Sequence, residues 1–257
     1  MFFKFGHNSF YTSGYTWIKK LILKQEYIAW DCACVACGKE WREEKENYYD
    51  MSLDAQVERD KGSKWPDMIG NGSEPCLKII SQRVLEAWES EGFGHFPSFP
   101  VRIIPPFPKK VVSEPPMYYR LDNSKLEGVE LDWEASGFCD AKICNICGKL
   151  SWNENKSFKM ETEQIVPLAF KEGTWTGMDI FCSKHVGHMF CTEKVIDCAV
   201  KHKLTNCSFV PCEIAGNDSF FRGIKYSTLN WRVKMQAQVE QYRNDFPPWG
   251  PIEAVGE

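Results

Sequence analysis

The sequence has no uninterrupted apolar run of the roughly 18 to 20 residues that a membrane-spanning helix requires, because Lys, Glu, Asp or Pro breaks its best runs. Its N-terminus also lacks the basic segment, apolar segment and small-residue cleavage site of a secretory signal. We therefore expect a cytoplasmic protein that has no membrane partner.

A large excess of charge of one sign is missing as well. The chain has 31 Lys and Arg against 35 Asp and Glu, a net charge of −4, so no overall positive field attracts nucleic acid and such a partner is not expected. Common catalytic motifs are also absent: there is no phosphate-binding glycine loop, dinucleotide fingerprint, zinc-protease helix or serine-hydrolase elbow. We expect a protein that acts by binding and is not an enzyme.

Hydrophobic residues make up 43% of the 257 residues, which excludes intrinsic disorder and allows a substantial core. Two segments have the pattern of short amphipathic helices, and each begins at a hydroxyl residue in the N-cap position, Ser81 or Thr192. Extended segments are predicted at 101–104, 117–121, 128–133, 179–181 and 208–214. The sequence therefore predicts an α+β fold with mixed or antiparallel sheets and a few short helices.

Three segments have less regular patterns. Residues 54–60 are predicted to form one or two helical turns. Seven of the 14 prolines lie in 97–116, a segment that we expect to contain edge strands and a linker. In the tail, 229–239 alternates with period two and the following residues have spacings of three and four, so both strand and helix stay open.

Twelve cysteines need an explanation in a cytoplasmic chain, where disulfides are rare. Four of them form two copies of C-x-x-C-G, Cys34 with Cys37 and Cys144 with Cys147. Two intervening residues let both thiolates face one ion, and the glycine permits the turn that directs backbone N–H groups at sulfur. We expect the four thiolates to bind one structural zinc ion, Zn²⁺, over a longer sequence separation than in ordinary zinc ribbons.

Other interpretations of the cysteines stay open. A redox role would require a lowered thiolate pKa, usually at a helix N-terminus, and neither pair clearly begins a helix. Cys32 and Cys139 lie near the pairs and could compete as ligands or be buried. A further set, with a spacing of three residues, could hold a second metal ion or be unrelated: Cys182, His185, His188 and Cys191.

The sequence contains an internal similarity between its two halves. Ser81 and Thr192 each have aliphatic residues three and four positions later, and nearly the same offset in sequence relates Cys34 to Cys144. One interpretation is a pair of half-repeats, about 1–112 and 113–215, joined by the zinc site; the other is chance similarity of two helices. Either way, the prediction is a domain at 1–215 and a C-terminal extension at 216–257.

Three features can be compared with known families: the two C-x-x-C-G motifs, Trp41 after the first motif, and the order of elements predicted between 115 and 214. In these features the chain resembles the double-CxxCG immunity protein family, a myxobacterial-type paralogous family. The similarity covers about residues 1–215. The resemblance implies a bacterial antitoxin that binds and neutralises a cognate protein toxin. Only the four motif cysteines carry over, as metal ligands.

An acidic chain without catalytic motifs fits an inhibitor of this kind, because it can occupy a toxin surface through complementary charge. Aromatic residues such as Tyr48, Tyr49 and Trp65 are candidate contacts. Two alternatives remain: a zinc-ribbon-like nucleic-acid-binding or regulatory module, and a C-x-x-C thiol oxidoreductase. The first would need a basic face, for which the sequence offers only small clusters at 19–20, 109–110 and 201–203.

Overall fold

A computed structural model describes residues 1–7, 15, 17–23, 29–44, 53–57, 62–71, 78–110, 113–122, 126, 128–153, 167–183, 188–213 and 231–245. Its elements are β1 (Phe2–His7), β2 (Trp17–Leu23), β3 (Ala29–Ala33), β4 (Glu40–Glu44), β5 (Leu53–Val57), β6 (Met68–Asn71), β7 (Ile79–Ser81), α1 (Gln82–Ser90), β8 (Ser98–Ile104), β9 (Tyr118–Leu121), β10 (Gly128–Val129), β11 (Lys142–Ile143), β12 (Leu150–Ser151), β13 (Ile180–Ser183), β14 (Met189–Thr192), α2 (Glu193–Lys201), β15 (Cys207–Pro211) and α3 (Trp231–Asp245). Mixed sheets with few helices confirm the predicted α+β class.

Six of these strands close into a small barrel in the order β2, β5, β8, β9, β7, β6. Along β5, Leu53, Ala55 and Val57 are buried, while the intervening Asp54 forms an ion pair of 2.7 Å with the exposed Arg102 of β8. This period-two pattern places apolar side chains inside the barrel and charged ones outside. The interior is filled by Ile18, Leu53, Ala55, Val57, Ile69, Ile79, Val101, Ile103 and Tyr118.

Two predictions for this region are wrong. The first part of 54–60 is strand β5 and not a helix, because alternate apolar residues of this strand pack in the barrel core and decide its conformation. Strand β8 is not an edge strand, since it lies between β5 and β9. Among the described residues, pairing with β5 begins at Val101 and Pro100 is paired only with β9, a position that suits a residue without an N–H.

A second sheet has five strands in the order β10, β13, β14, β1, β15. Aromatic rings stack on neighbouring strands: the Phe181 and Phe190 centroids are 5.8 Å apart, and those of Phe5 and Phe209 are 5.1 Å apart. Trp88 of α1 contacts Phe5, with a centroid separation of 5.7 Å. The buried faces of this sheet and of the three helices belong to one continuous core.

The two sheets share one strand order. Five neighbouring strands of the barrel, in the order β2, β6, β7, β9, β8, correspond to the strands of the second sheet in the order β10, β13, β14, β1, β15. In both sheets the first two of these strands pair in parallel and the other neighbours pair antiparallel. Strand β5 has no counterpart among the described residues and closes the barrel. The two halves of the sequence therefore build the same five-stranded unit.

Each unit contains one strand from the other half of the sequence. Strand β1 lies between β14 and β15, as β9 lies between β7 and β8. Phe3 of β1 is opposite Pro211, and Tyr119 of β9 is opposite Pro100, and these two prolines have the same offset in sequence as Ser81 and Thr192. The register of this exchange is thus the same in both directions, and each half donates its first strand to the sheet of the other.

Both of the first two helices begin in the same way. Ser81 Oγ donates a hydrogen bond of 2.9 Å to Asp67, and Thr192 Oγ1 donates one of 2.5 Å to Asp179, so neither hydroxyl caps its own helix. Each carboxylate also binds a cation in the first turn of the helix, Arg83 on Asp67 and Lys194 on Asp179. Asp67 lies just before the β6–β7 hairpin that leads into α1, and Asp179 lies just before the β13–β14 hairpin that leads into α2. Each helix is therefore bound to the start of the hairpin that precedes it.

The ends of these helices also correspond and meet each other. Glu91 and His202 end α1 and α2, with nearly equal backbone angles, and Gly92 and Lys203 follow in the left-handed region at φ 76° and 52°. His202 Nε2 lies 2.8 Å from Glu91 Oε1. Because equivalent residues contact each other, this contact lies close to a pseudo-twofold axis that relates the halves.

The tail segment that the sequence left open is helix α3. Trp231, Met235 and Val239, four residues apart, are buried in the core of the second sheet, while Val233 is exposed. Helical spacing therefore describes the segment and the period-two alternation at 229–239 does not. In the part of the chain that the structure describes, no helix has the length and apolar character needed to cross a bilayer.

Candidate metal centre

The first cysteine motif forms the turn of a hairpin between β3 and β4. The Cys34 N–H donates to the Lys39 carbonyl at 2.9 Å, and the Gly38 N–H donates to the Cys34 carbonyl at 2.8 Å. Gly38 has φ 67°, a left-handed conformation that favours glycine. This turn directs both cysteines of the motif to one side, and we call residues 34–39 the first knuckle.

The second motif has the same geometry between β11 and β12. The Cys144 N–H donates to the Lys149 carbonyl at 3.0 Å, the Gly148 N–H donates to the Cys144 carbonyl at 2.8 Å, and Gly148 also has φ 67°. We call residues 144–149 the second knuckle. The glycine in each motif is therefore required by the turn, as the sequence predicted.

The fold brings the two knuckles face to face. Cys34 Sγ lies 3.8 Å from Cys144 Sγ, Cys37 Sγ lies 3.7 Å from Cys147 Sγ, and all four sulfurs lie within 4.8 Å of one another. A zinc–sulfur bond of about 2.3 Å corresponds to a sulfur–sulfur edge of about 3.8 Å in a regular tetrahedron. The donor set, the number of sulfurs and their spacing thus fit one tetrahedral metal ion.

Backbone N–H groups lower the pKa of the first cysteine in each knuckle. For Cys34 the main cause is the N–H of Ala36. For Cys144 the main cause is the N–H of Cys147, and its pKa falls to about 6. Hydrogen bonds from backbone to sulfur favour the thiolate, which is the form that binds a metal.

The pKa of Cys37 moves in the opposite direction. The Lys39 N–H lowers it, but desolvation and the adjacent sulfurs of Cys34 and Cys147 raise it to about 12. Several thiolates in contact repel one another, so one thiol keeps its proton when no cation is near. A divalent cation among the sulfurs compensates their charge and favours four thiolates.

The surroundings of the four cysteines indicate a structural role for a bound ion. Cys34 is buried, Cys144 and Cys147 are half-buried, and Cys37 is exposed. Four protein sulfurs leave no open coordination position for substrate or water, unlike a catalytic zinc site. The site also joins two segments that are 110 residues apart in sequence.

The other cysteines in the described part of the chain do not take part in the centre. Cys32 and Cys139 are half-buried near the knuckles and lie outside the cluster of four. Burial raises the pKa of Cys182 to about 12 and that of Cys198 to about 11, so these thiols are unreactive. Among the described residues, the four knuckle cysteines are the one group that could hold a metal ion.

The second set that the sequence singled out is not assembled in the described part of the chain. Cys182 and Cys191 are buried core residues on neighbouring strands β13 and β14, and their cross-strand partners are Met189 and Ile180. Neither they nor His188 form a metal-binding group. His185 lies outside the described residues.

Sequence reasoning found the four cysteines of the cluster but not the contacts that position them. It missed Asp67 and Asp179, which fix the two helices, and the exchange of β1 and β9 that brings the halves together. The available signal was an Asp at a similar distance before each hydroxyl residue. Of the candidate aromatic contacts, Trp65 is half-buried on the barrel, and Tyr48 and Tyr49 lie outside the described residues.

Comparison with known proteins adds no family to this description. No protein-family model matches the chain, and no curated protein sequence matches it. The resemblance to the double-CxxCG immunity proteins therefore depends on the residues quoted for it.

Proposed function

We propose that this protein is an immunity protein that binds and neutralises a cognate bacterial toxin in the cytoplasm, and that a structural zinc ion joins its two halves. The observation that carries the proposal is the tetrahedral spacing of four cysteines from two C-x-x-C-G motifs. The paired motifs are also what carries the resemblance to the immunity family. Both arguments therefore depend on the same four cysteines.

The zinc ion supplies cohesion and no chemistry at this centre. Cys34 and Cys37 hold it from one half of the sequence, and Cys144 and Cys147 hold it from the other. The turn N–H groups orient the sulfurs and stabilise their thiolate form before the ion binds. An inhibitor that must present a rigid surface benefits, because pre-organisation lowers the entropic cost of association.

A binding role is also consistent with the charge and chemistry of the chain. Its net charge of −4 favours association with a basic toxin surface through complementary charge. The thiols of Cys182 and Cys198, whose pKa is raised by burial, lie in the core, away from any open reactive position. We therefore propose neutralisation by occupancy of the toxin and not by covalent modification.

The metal centre is tested by native mass spectrometry of the full chain with Cys34→Ser and Cys144→Ser variants. We expect one zinc ion per wild-type chain and none in either variant. Cys139→Ser is the matched control, because Cys139 is a half-buried cysteine close to the second knuckle but outside the cluster. A wild-type chain that purifies without zinc, and takes none up from a zinc buffer, would contradict the centre.

The immunity role is tested by competition between bacteria. A strain of the source bacterium that lacks this gene should be killed in mixed culture by its unmodified kin, and the full chain supplied in trans should restore survival. Cys34→Ser should protect less well than Cys139→Ser at equal expression. Undiminished survival of the deletion strain would contradict the immunity role while leaving the zinc measurement intact.

One observation favours a second candidate, a thiol oxidoreductase: the pKa of Cys144 is lowered to about 6. Its sulfur faces Cys34 and Cys147, the arrangement of a reactive dithiol when no ion is bound. This function predicts that the zinc-free chain reduces a disulfide substrate to two thiols while its own dithiol becomes a disulfide, and that an added small thiol reduces this disulfide again to allow turnover. Turnover that disappears in Cys144→Ser would support it over a purely structural centre.

A further inference from the structure

Several chain segments that take no part in the metal centre lie at one end of the barrel. Strands β2, β6 and β9 begin at this end and β5, β7 and β8 finish there, as their parallel and antiparallel registers require. Residues 62–67, 105–110 and 113–117 lead into or out of these strands. We call these three segments the barrel mouth.

The barrel mouth carries a partly exposed aromatic cluster. The rings of Trp65 and Phe107 are in edge-to-face contact, with centroids 6.1 Å apart. The Trp65 Nε1–H donates to the Ser113 carbonyl at 2.9 Å, so its one polar group is already used and its remaining contact surface is the π system. Phe107 is 37% exposed and Met117 is 59% exposed, although both are large apolar residues.

Exposed lysines lie close in sequence to both rings of this aromatic cluster. Lys64 precedes Trp65, and Lys109 and Lys110 follow Phe107 by two and three residues; all three are exposed. Within the described part of the chain, Lys109 and Lys110 have no ion-pair partner. Asp67 is buried and bound by Ser81 and Arg83, which leaves Glu114 as the exposed carboxylate of the three segments.

We propose that the barrel mouth binds single-stranded nucleic acid. Aromatic side chains offer π faces on which bases stack, and exposed lysines neutralise the phosphates between them. Small β-barrels commonly use an outer face and adjoining loops for this purpose, and the interior of this barrel is filled by its own side chains. The ligand would therefore lie across the mouth and not inside the barrel.

The observations favour nucleic acid over an acidic protein partner. Lysine is depleted at stable protein interfaces, whereas here three exposed lysines lie within three residues of the two aromatic rings in sequence. The chain as a whole is acidic, so the site would be local and its affinity modest and strongly dependent on salt. This inference goes beyond the proposed immunity role and does not depend on it.

The test is fluorescence anisotropy of the zinc-loaded full chain with a labelled oligothymidine of about 16 nucleotides, the upper range for one barrel. We expect saturable binding at about 50 mM salt that weakens steeply toward about 200 mM. Phe107→Ala should weaken binding by about 5- to 150-fold, the range measured for loss of one stacked base. Replacing Lys109 and Lys110 together by Gln should flatten the slope of log K against log salt by about 1.4.

Matched controls lie on the other half of the protein. Trp175→Ala removes an aromatic side chain of similar exposure, 41%, and Lys142→Gln with Lys171→Gln removes two exposed lysines outside the knuckles. Both should leave binding unchanged, with zinc content as the check on folding. Absence of saturable binding at low salt, equal losses in the controls, or equally effective competition by polyglutamate would each overturn the proposal.

Discussion

Removal of the metal gives the most direct test of how the two halves are held together. Binding of the proposed zinc ion to the folded chain would stabilise it by RT ln(1 + [Zn]/Kd), which is about 2.7 kcal/mol at a free zinc concentration of 100 times Kd. For a chain of this size, 1 kcal/mol shifts the melting temperature by about 2 to 4 °C. We therefore expect chelation to lower the melting temperature by about 5 to 11 °C.

The exchange of β1 and β9 predicts that the zinc-free chain stays folded. Each exchanged strand pairs with two strands of the other half, and these ladders do not involve the cysteines of the centre. The assay is thermal unfolding by circular dichroism in a zinc buffer, with and without a chelator. Cys34→Ser and Cys144→Ser should each abolish the zinc-dependent shift to the same extent, because the two residues occupy equivalent positions.

Two results would refute this reasoning. Complete unfolding on chelation would mean that the exchanged strands do not hold the halves together. A melting temperature that is independent of zinc in the wild type, with zinc shown to be bound, would mean that the ion also binds the unfolded chain equally well. Cys139→Ser should keep the full zinc-dependent shift, since its sulfur lies outside the cluster.

Three further outcomes are expected. Trp88→Ala should lower the free energy of unfolding by about 3 to 5 kcal/mol in urea titrations, because the buried ring packs on Phe5 and Phe96, whereas Glu86→Ala on the exposed face should change it by less than about 0.5 kcal/mol. The Lys201 and His202 hydrogen bonds lower the pKa of Glu91, so its stabilisation is present above the unfolded carboxyl pKa and is lost as pH falls through the folded value; Glu91→Gln should melt below wild type at pH 7, and the difference should narrow as pH falls below about 4.3. Separate fragments 1–112 and 113–257 should not unfold cooperatively by circular dichroism until they are mixed, because each sheet would lack an interior strand; cooperative melting of either fragment alone would contradict the exchange.

The ligands and the fold class could be predicted because they depend on local rules. A C-x-x-C-G motif specifies its own turn, and Gly38 and Gly148 adopt the left-handed conformation that this turn needs. The helices after Ser81 and Thr192 have a clear apolar face, with Val84 and Val195 buried. In each case the decisive interactions join residues that are close together in sequence.

Other features could not be predicted because distant partners decide them. Residues 54–57 have no strong strand signal, and their conformation depends on parallel pairing with β8, which lies much later in the sequence. The proline-rich segment has the composition of an edge strand, but barrel closure supplies a second neighbour that begins just past Pro100. The hydroxyl of Ser81 was expected to cap its helix, yet it donates to Asp67 instead.

The pseudo-twofold relation separates what the fold requires from what function adds. Features present in both halves, such as the knuckles, Asp67 with Asp179 and Pro100 with Pro211, are explained by the geometry of one repeated unit. The barrel mouth is not repeated: at the offset that relates Pro100 to Pro211, the segment Phe107-Pro-Lys-Lys corresponds to Asp218-Ser-Phe-Phe, which has no basic residue. Its lysines are therefore not needed to build the unit. An exposed cluster of aromatic and basic residues that the fold does not require is best explained by a ligand, which is why the mouth and not the metal centre is the place to look for binding.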